Sequence, residues 1–208
     1  MEPNFTFEQL FAAWRAAAGH KELAPPATED EFLLTEAKIG QPLPDEIKRL
    51  YREFNGVSVG GGALRLLPLR GSELSVESMN EYMSQDVDPF PSCLRVFGSD
   101  GSEGNYMFWS DPVSPPYVTP VVTYPMLDEE ECYWLSGTSL LRFLVSRTLI
   151  DRCYDEDFQP VEILGMPRHL FAPEPDEVAI ISWADPFLPH PASDRLYSPA
   201  GLREVFGE

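Results

Sequence analysis

The stretch Ile39-Gly40-Gln41-Pro42-Leu43-Pro44-Asp45-Glu46, continued by Ile47, Leu50, Tyr51, Phe54, Asn55 and Gly56, decides how this chain is read. It holds the end of one helix and the whole of the next. Gly40 ends the first, because glycine accepts the left-handed C′ conformation at little cost. Pro44 suits a helix start, where its missing N–H is not needed. Asp45 and Glu46 then fall where the helix dipole favours negative charge. Ile47, Leu50, Tyr51 and Phe54 recur at i, i+3, i+4 and i+7, so they form one buried stripe. Asn55-Gly56 closes the helix.

Towards the N-terminus, Thr28 with Glu31 makes a capping box for the preceding helix, whose buried side reads as Phe32, Leu33 and Ala37. Ala24-Pro25-Pro26 is a stiff link. Before it, Thr6 and Gln9 open a first helix with Phe7, Leu10, Phe11, Trp14 and Ala18 on one face and Gly19 at its end.

In the other direction the pattern turns to strands. Gly60-Gly61-Gly62 lacks the Lys-Ser or Lys-Thr of a phosphate loop and reads as a turn into the strand Ala63–Leu69, with Pro68 at an edge or bulge. Ser75 caps a short helix with Met79, Tyr82 and Met83 inward. Cys93–Phe97 and Tyr106–Trp109 are the arms of a hairpin around Ser99–Asn105. Val118, Val121, Val122 and Tyr124 form a strand broken at Pro120, and Tyr133-Trp134-Leu135 another. From Ser139 to about Tyr154 the apolar residues repeat at helical spacing, with Thr138 or Ser136 as cap.

Helices, then strands, then a helix predict an α+β fold: a largely antiparallel sheet with N-terminal helices and a late long helix packed on it. Residues 1–154 read as that domain. Residues 155–208 read as a Pro-rich extension packed on the same domain, with Val178–Trp183 as a strand and Ser198-Pro199 opening a final helix that carries Leu202 and Phe206.

Among 208 residues, 34 Asp plus Glu stand against 15 Lys plus Arg, a formal charge of −19. Such a chain repels nucleic acid and anionic lipid and attracts basic partners, although acidity also serves solubility alone. The surplus is spread along the chain: residues 151–208 hold 12 acids and 4 arginines. Three widely spaced cysteines (Cys93, Cys132 and Cys153) form no disulfide framework or zinc pattern, and a reducing compartment is the simpler reading. The chain shows neither a signal-peptide pattern nor an apolar run approaching the about 18 residues of a membrane span. A cytoplasmic location is expected.

Catalytic patterns are missing. His20, His169 and His190 stand in no recognisable motif, and there is no G-x-S-x-G elbow. Asp100-Gly101-Ser102-Glu103-Gly104 does not satisfy the calcium-loop pattern. No catalytic residue, cofactor or metal site is expected. A carboxylate pair for glycoside hydrolysis cannot be chosen from so many acids, which keeps an unrecognised enzyme open as a third reading.

The order Ile-Gly, Leu-Pro-Asp-Glu-Ile, Tyr and Phe-Asn-Gly in residues 39–56 resembles the signature of the SUKH superfamily. That superfamily contains bacterial immunity proteins and eukaryotic regulators of cell-wall assembly. The resemblance extends to Asp100-Gly101 with Gly104-Asn105-Tyr106, and to Ser139-Leu140-Leu141-Arg142-Phe143-Leu144, covering about residues 28 to 150. It implies a non-catalytic immunity protein that binds and neutralises a toxin effector, with a basic nuclease domain as the candidate effector. The alternative it implies is a regulatory or scaffolding module. The expected partner-binding residues are Asp128, Glu129, Glu130 and Glu131, with Glu103 and Asp155 as outliers. Tyr133 and Trp134 beside them read as aromatic anchors or, more simply, as core.

Overall fold

The computed structural model describes residues 4–16, 21–59, 64–86, 90–101, 104–125, 132–153, 164–170, 176–189 and 196–207. Among these are seven α-helices: α1 (Phe7–Ala16), α2 (Glu29–Ile39), α3 (Asp45–Tyr51), α4 (Val76–Asp86), α5 (Leu140–Cys153), α6 (Glu177–Ala184) and α7 (Pro199–Phe206). Eight strands join them: β1 (Lys21–Leu23), β2 (Val57–Val59), β3 (Leu64–Leu66), β4 (Leu94–Ser99), β5 (Gly104–Trp109), β6 (Val121–Pro125), β7 (Tyr133–Gly137) and β8 (Leu196–Tyr197). Each strand pairs antiparallel with the next in chain order, so the sheet is one meander. The fold class is the expected α+β.

The deciding stretch folds as read, with one difference. Gly40 has φ 77° and caps α2, its N–H bonding the Glu36 carbonyl. Ile47, Leu50 and Tyr51 are fully buried, and Phe54 nearly so. The Tyr51 hydroxyl donates to the Leu67 and Phe97 carbonyls at 2.8 and 3.3 Å, which fixes α3 to the sheet. The helix ends earlier than Asn55-Gly56, at Tyr51 with Arg52 as cap. Asn55 is instead a brace: Nδ2 donates to Glu31 Oε1 at 2.9 Å, and Oδ1 accepts from Leu69 N at 2.8 Å.

The capping boxes at Thr6/Gln9 and Thr28/Glu31 both form. The inward side of α2 differs from expectation. Phe32 and Thr35 are buried, whereas Leu33 and Ala37 face solvent. In α4, Met83 is buried and Met79 partly so, but Tyr82 is exposed. Asn80 does what an apolar residue could not. Where β3 stops pairing with β4, its amide accepts from Val96 N and donates to Val96 O, at 2.9 and 2.8 Å. One side chain thus replaces a missing strand neighbour.

All six residues of β5 are buried, so both faces of the sheet are covered there. On one face Tyr106 meets Phe143 of α5 edge-on at 4.8 Å. Trp109 meets Phe206 of α7 at 4.9 Å. Ser139, not Thr138 or Ser136, caps α5 by accepting from Arg142 N at 3.2 Å. Thr138 is held by Asp185, and Ser136 shares a hydrogen bond with Thr123.

The largest correction concerns Val178–Trp183, expected as a strand and found inside helix α6. Its β-branched run has strand composition, but Asp176 accepts from Ala179 N as an N-cap, and Ile180 and Ala184 are buried. Capping and packing override propensity. The last helix forms as read: Ser198 accepts from Gly201 N, and Leu202 and Phe206 are buried. The readings at Ala18, Gly19 and Gly60–Gly62 lie outside the described residues.

Candidate protein-interaction surface

The six expected partner-binding residues, Asp128, Glu129, Glu130, Glu131, Glu103 and Asp155, all lie outside the described residues. The frame beside them is defined. Gly104, next to Glu103, pairs with Pro125, the last residue of β6. Tyr133, which opens β7, has its ring 5.5 Å from that of Tyr124. The described residues flanking 102–103 and 126–131 therefore sit at one end of β5, β6 and β7. Nothing described brings Asp155 to that end; it follows α5 by two residues. Of the two aromatics considered as anchors, Tyr133 is fully buried and belongs to the core, while Trp134 is half-buried.

Charge is unevenly distributed. Residues 1–86 contain 14 acids and 8 bases, whereas residues 87–208 contain 20 acids and 7 bases. The six ion pairs described all join residues between 8 and 81: Glu8–Arg49, Arg15–Glu53, Glu29–Arg52, Glu36–Lys48, Lys38–Glu81 and Arg70–Glu77. Cations of the first part are thus largely consumed by their own neighbours. The net charge is −6 over residues 1–86 and −13 over residues 87–208, so the larger share of the surplus falls in the second part, which also carries the acidic runs.

A second exposed feature was not legible from the chain. Leu33 and Leu34 of α2, Leu74 before α4 and Tyr82 on α4 are 64, 53, 49 and 46% exposed. Helices α2 and α4 pack on each other and are bridged by Lys38–Glu81. The pair Leu33-Leu34 gave no signal of exposure, since neighbouring residues such as Leu50 and Tyr51 are both buried on one helix.

Chemistry of a catalytic kind has little to stand on among the described residues. His169 is exposed, Cys93 is buried, and no group of three His, Cys, Asp or Glu could hold a metal ion. One carboxyl is strongly perturbed. Burial pushes Glu46 up to about 7, against the lowering effect of the Thr119 side chain, the Arg49 charge and the Leu140 N–H. Its Oε2 is buried with no hydrogen-bond partner. Thr119 has φ 48°, a strained conformation for a β-branched residue. Glu46 therefore sits where α3, the β5–β6 link and the first residue of α5 meet, a structural junction rather than an open cleft. No described helix is long and apolar enough to cross a membrane.

Comparison with curated proteins finds none that matches the chain. The family model for the SMI1/KNR4 family (SUKH-1) matches residues 26–144, which run from α2 to the first turn of α5 and take in six of the eight strands, β2 to β7, leaving β1 and β8 outside. The match covers more than half of the 208 residues and includes the signature helix, the β4–β5 hairpin and the start of α5. It accords with an immunity protein or a regulatory protein-interaction module. On this match the chain belongs to the SMI1/KNR4 family (SUKH-1).

Proposed function

We propose that this protein is a non-catalytic immunity protein of the cytoplasm that neutralises a basic toxin effector, a nuclease domain, through an acidic face. Asp128, Glu129, Glu130 and Glu131 form its centre, with Glu103 and Asp155 at its margin. The observation that carries the reading is the net charge of −19 in a SUKH-1 chain, with the surplus falling mainly after residue 86. A nuclease needs a basic surface for phosphate, and an acidic inhibitor occupies that surface by presenting the same charge. Residues 155–208 serve as an extension of the 1–154 domain, a reading supported by the pairing of β8 with β7 and of Asp185 with Thr138. The test is co-expression with candidate basic nuclease toxin domains. Restored growth and a stoichiometric complex are expected; undiminished toxicity with both proteins soluble contradicts the reading.

A second reading, a regulatory or scaffolding module, is favoured by the exposed Leu33, Leu34, Leu74 and Tyr82. Apolar docking there is nearly indifferent to salt, whereas charge-steered inhibition is not.

A further inference from the structure

Arg95, the second residue of β4, is a half-buried cation without an ion-pair partner among the described residues. Its Nη1 donates to the carbonyls of Ser92 and Leu94 at 2.8 and 2.6 Å, and Nη2 to that of Ile39 at 3.3 Å. A guanidinium has five donors, so Nε–H and one Nη2 hydrogen remain unused. Burial holds the Arg95 pKa below the ordinary arginine value, with Cys93 and Asp111 opposing that shift through their charge.

Arg95 lines a cavity of about 400 Å³ between α2, α4 and the start of β4, with Ile39 and Phe90 as its apolar wall. The other ions of that wall are already matched. Lys38 pairs with Glu81 at 3.0 Å, and Glu77 pairs with Arg70 at 3.3 Å. Arg95 makes no ion pair with a described residue, Asp111 acting on it only through longer-range charge, and its Nε–H and one Nη2 hydrogen are unused. We infer that this cavity receives a single carboxylate from a protein partner, bound to the Arg95 guanidinium. A dianion such as phosphate is disfavoured, since Glu77 and Glu81 lie in the same wall and one unmatched charge faces it. Free anions are repelled by the chain's net charge of −19, so the carboxylate arrives on a partner held by other contacts. The inference rests on the cavity and the chain's net charge, and it stands whether or not the acidic runs bind a toxin.

The test is a titration of the full chain followed at the Arg95 Nε–H resonance by NMR, at constant ionic strength. The probes are acetyl-aspartyl amide for a side-chain carboxylate, acetyl-glycine for a chain terminus, sodium phosphate and sodium chloride. A saturable shift is expected with a carboxylate probe, and the tighter of the two identifies the source. No saturable shift, an equal shift with chloride, or tighter binding of phosphate overturns the inference. Arg95→Gln is expected to weaken carboxylate binding at least tenfold. Because that change also removes the bond to Ile39, Gln85→Glu is the second variant: it places the chain's own carboxylate in the cavity wall and is expected to weaken binding about as much. Unchanged affinity in the folded Gln85→Glu protein overturns the inference. Asp88, outside the described residues, is two residues from Phe90 in the chain. Asp88→Asn is expected to leave the affinity unchanged, and a tenfold gain overturns the inference by showing that the cavity already holds an internal carboxylate.

Discussion

Asp185 holds Thr138 through both carboxylate oxygens: Oδ2 accepts from the Thr138 N–H and Oδ1 from its hydroxyl, each at 2.7 Å. Both residues are almost completely buried, at 2 and 1% exposure. The end of α6 is thereby locked to the turn between β7 and α5. Asp185→Ala leaves two buried donors without acceptors, and each such loss costs about 1–3 kcal/mol. Asp185→Ala is expected to lower the unfolding free energy in urea by about 3 kcal/mol. Asp185→Asn retains one acceptor and is expected to lose about half as much. A loss below about 1 kcal/mol for Asp185→Ala contradicts the lock.

Asn80 predicts a similar penalty for a different reason. Its amide serves Val96 N, Val96 O and Val76 O at 2.9, 2.8 and 2.7 Å. Asn80→Leu keeps the branched shape and leaves both Val96 backbone groups buried and unpaired. The expected cost is about 2–4 kcal/mol. Amide hydrogen exchange gives the sharper readout: the Val96 N–H should lose protection in a folded variant, while the Met107 N–H in the neighbouring ladder keeps it.

Glu46 makes stability depend on pH. Its folded value of about 7 lies above the ordinary glutamate value of 4.5. Between these two values the folded chain binds the proton more often than the unfolded chain, so the contribution is present at low pH and is lost as pH rises through 7. The limit of this effect is about 3 kcal/mol. Glu46→Gln removes the titration. The stability difference between wild type and Glu46→Gln, measured by urea unfolding from pH 4.5 to 8, should shift in favour of the variant as pH rises. A difference that does not change with pH contradicts the assignment.

Much of this fold is written in the chain at short range. Capping boxes need only residues three apart, and the stripe of Ile47, Leu50, Tyr51 and Phe54 needs only one helix. What failed depends on long-range packing. Val178–Trp183 carries strand composition, and only the Asp176 cap and burial of Ile180 and Ala184 make it helical. Leu33 and Tyr82 read as inward because apolar residues usually are, yet they face solvent while the polar Thr35 and Asn80 of the same helices are buried. The cavity at Arg95 joins residues from α2, α4 and β4, a juxtaposition no spacing rule reveals. The acidic run at 128–131 was legible as charge, but charge alone does not name what it meets.

Association kinetics with a toxin domain that the protein neutralises on co-expression test the central claim most directly. The comparison is between wild type and a variant with Asp128, Glu129, Glu130 and Glu131 all changed to Lys, at low and high salt. The account predicts that the wild-type association rate falls at least about tenfold as salt rises, and that the variant associates slowly at every salt concentration with its thermal unfolding unchanged. Equal, salt-independent rates for the two folded proteins would contradict it.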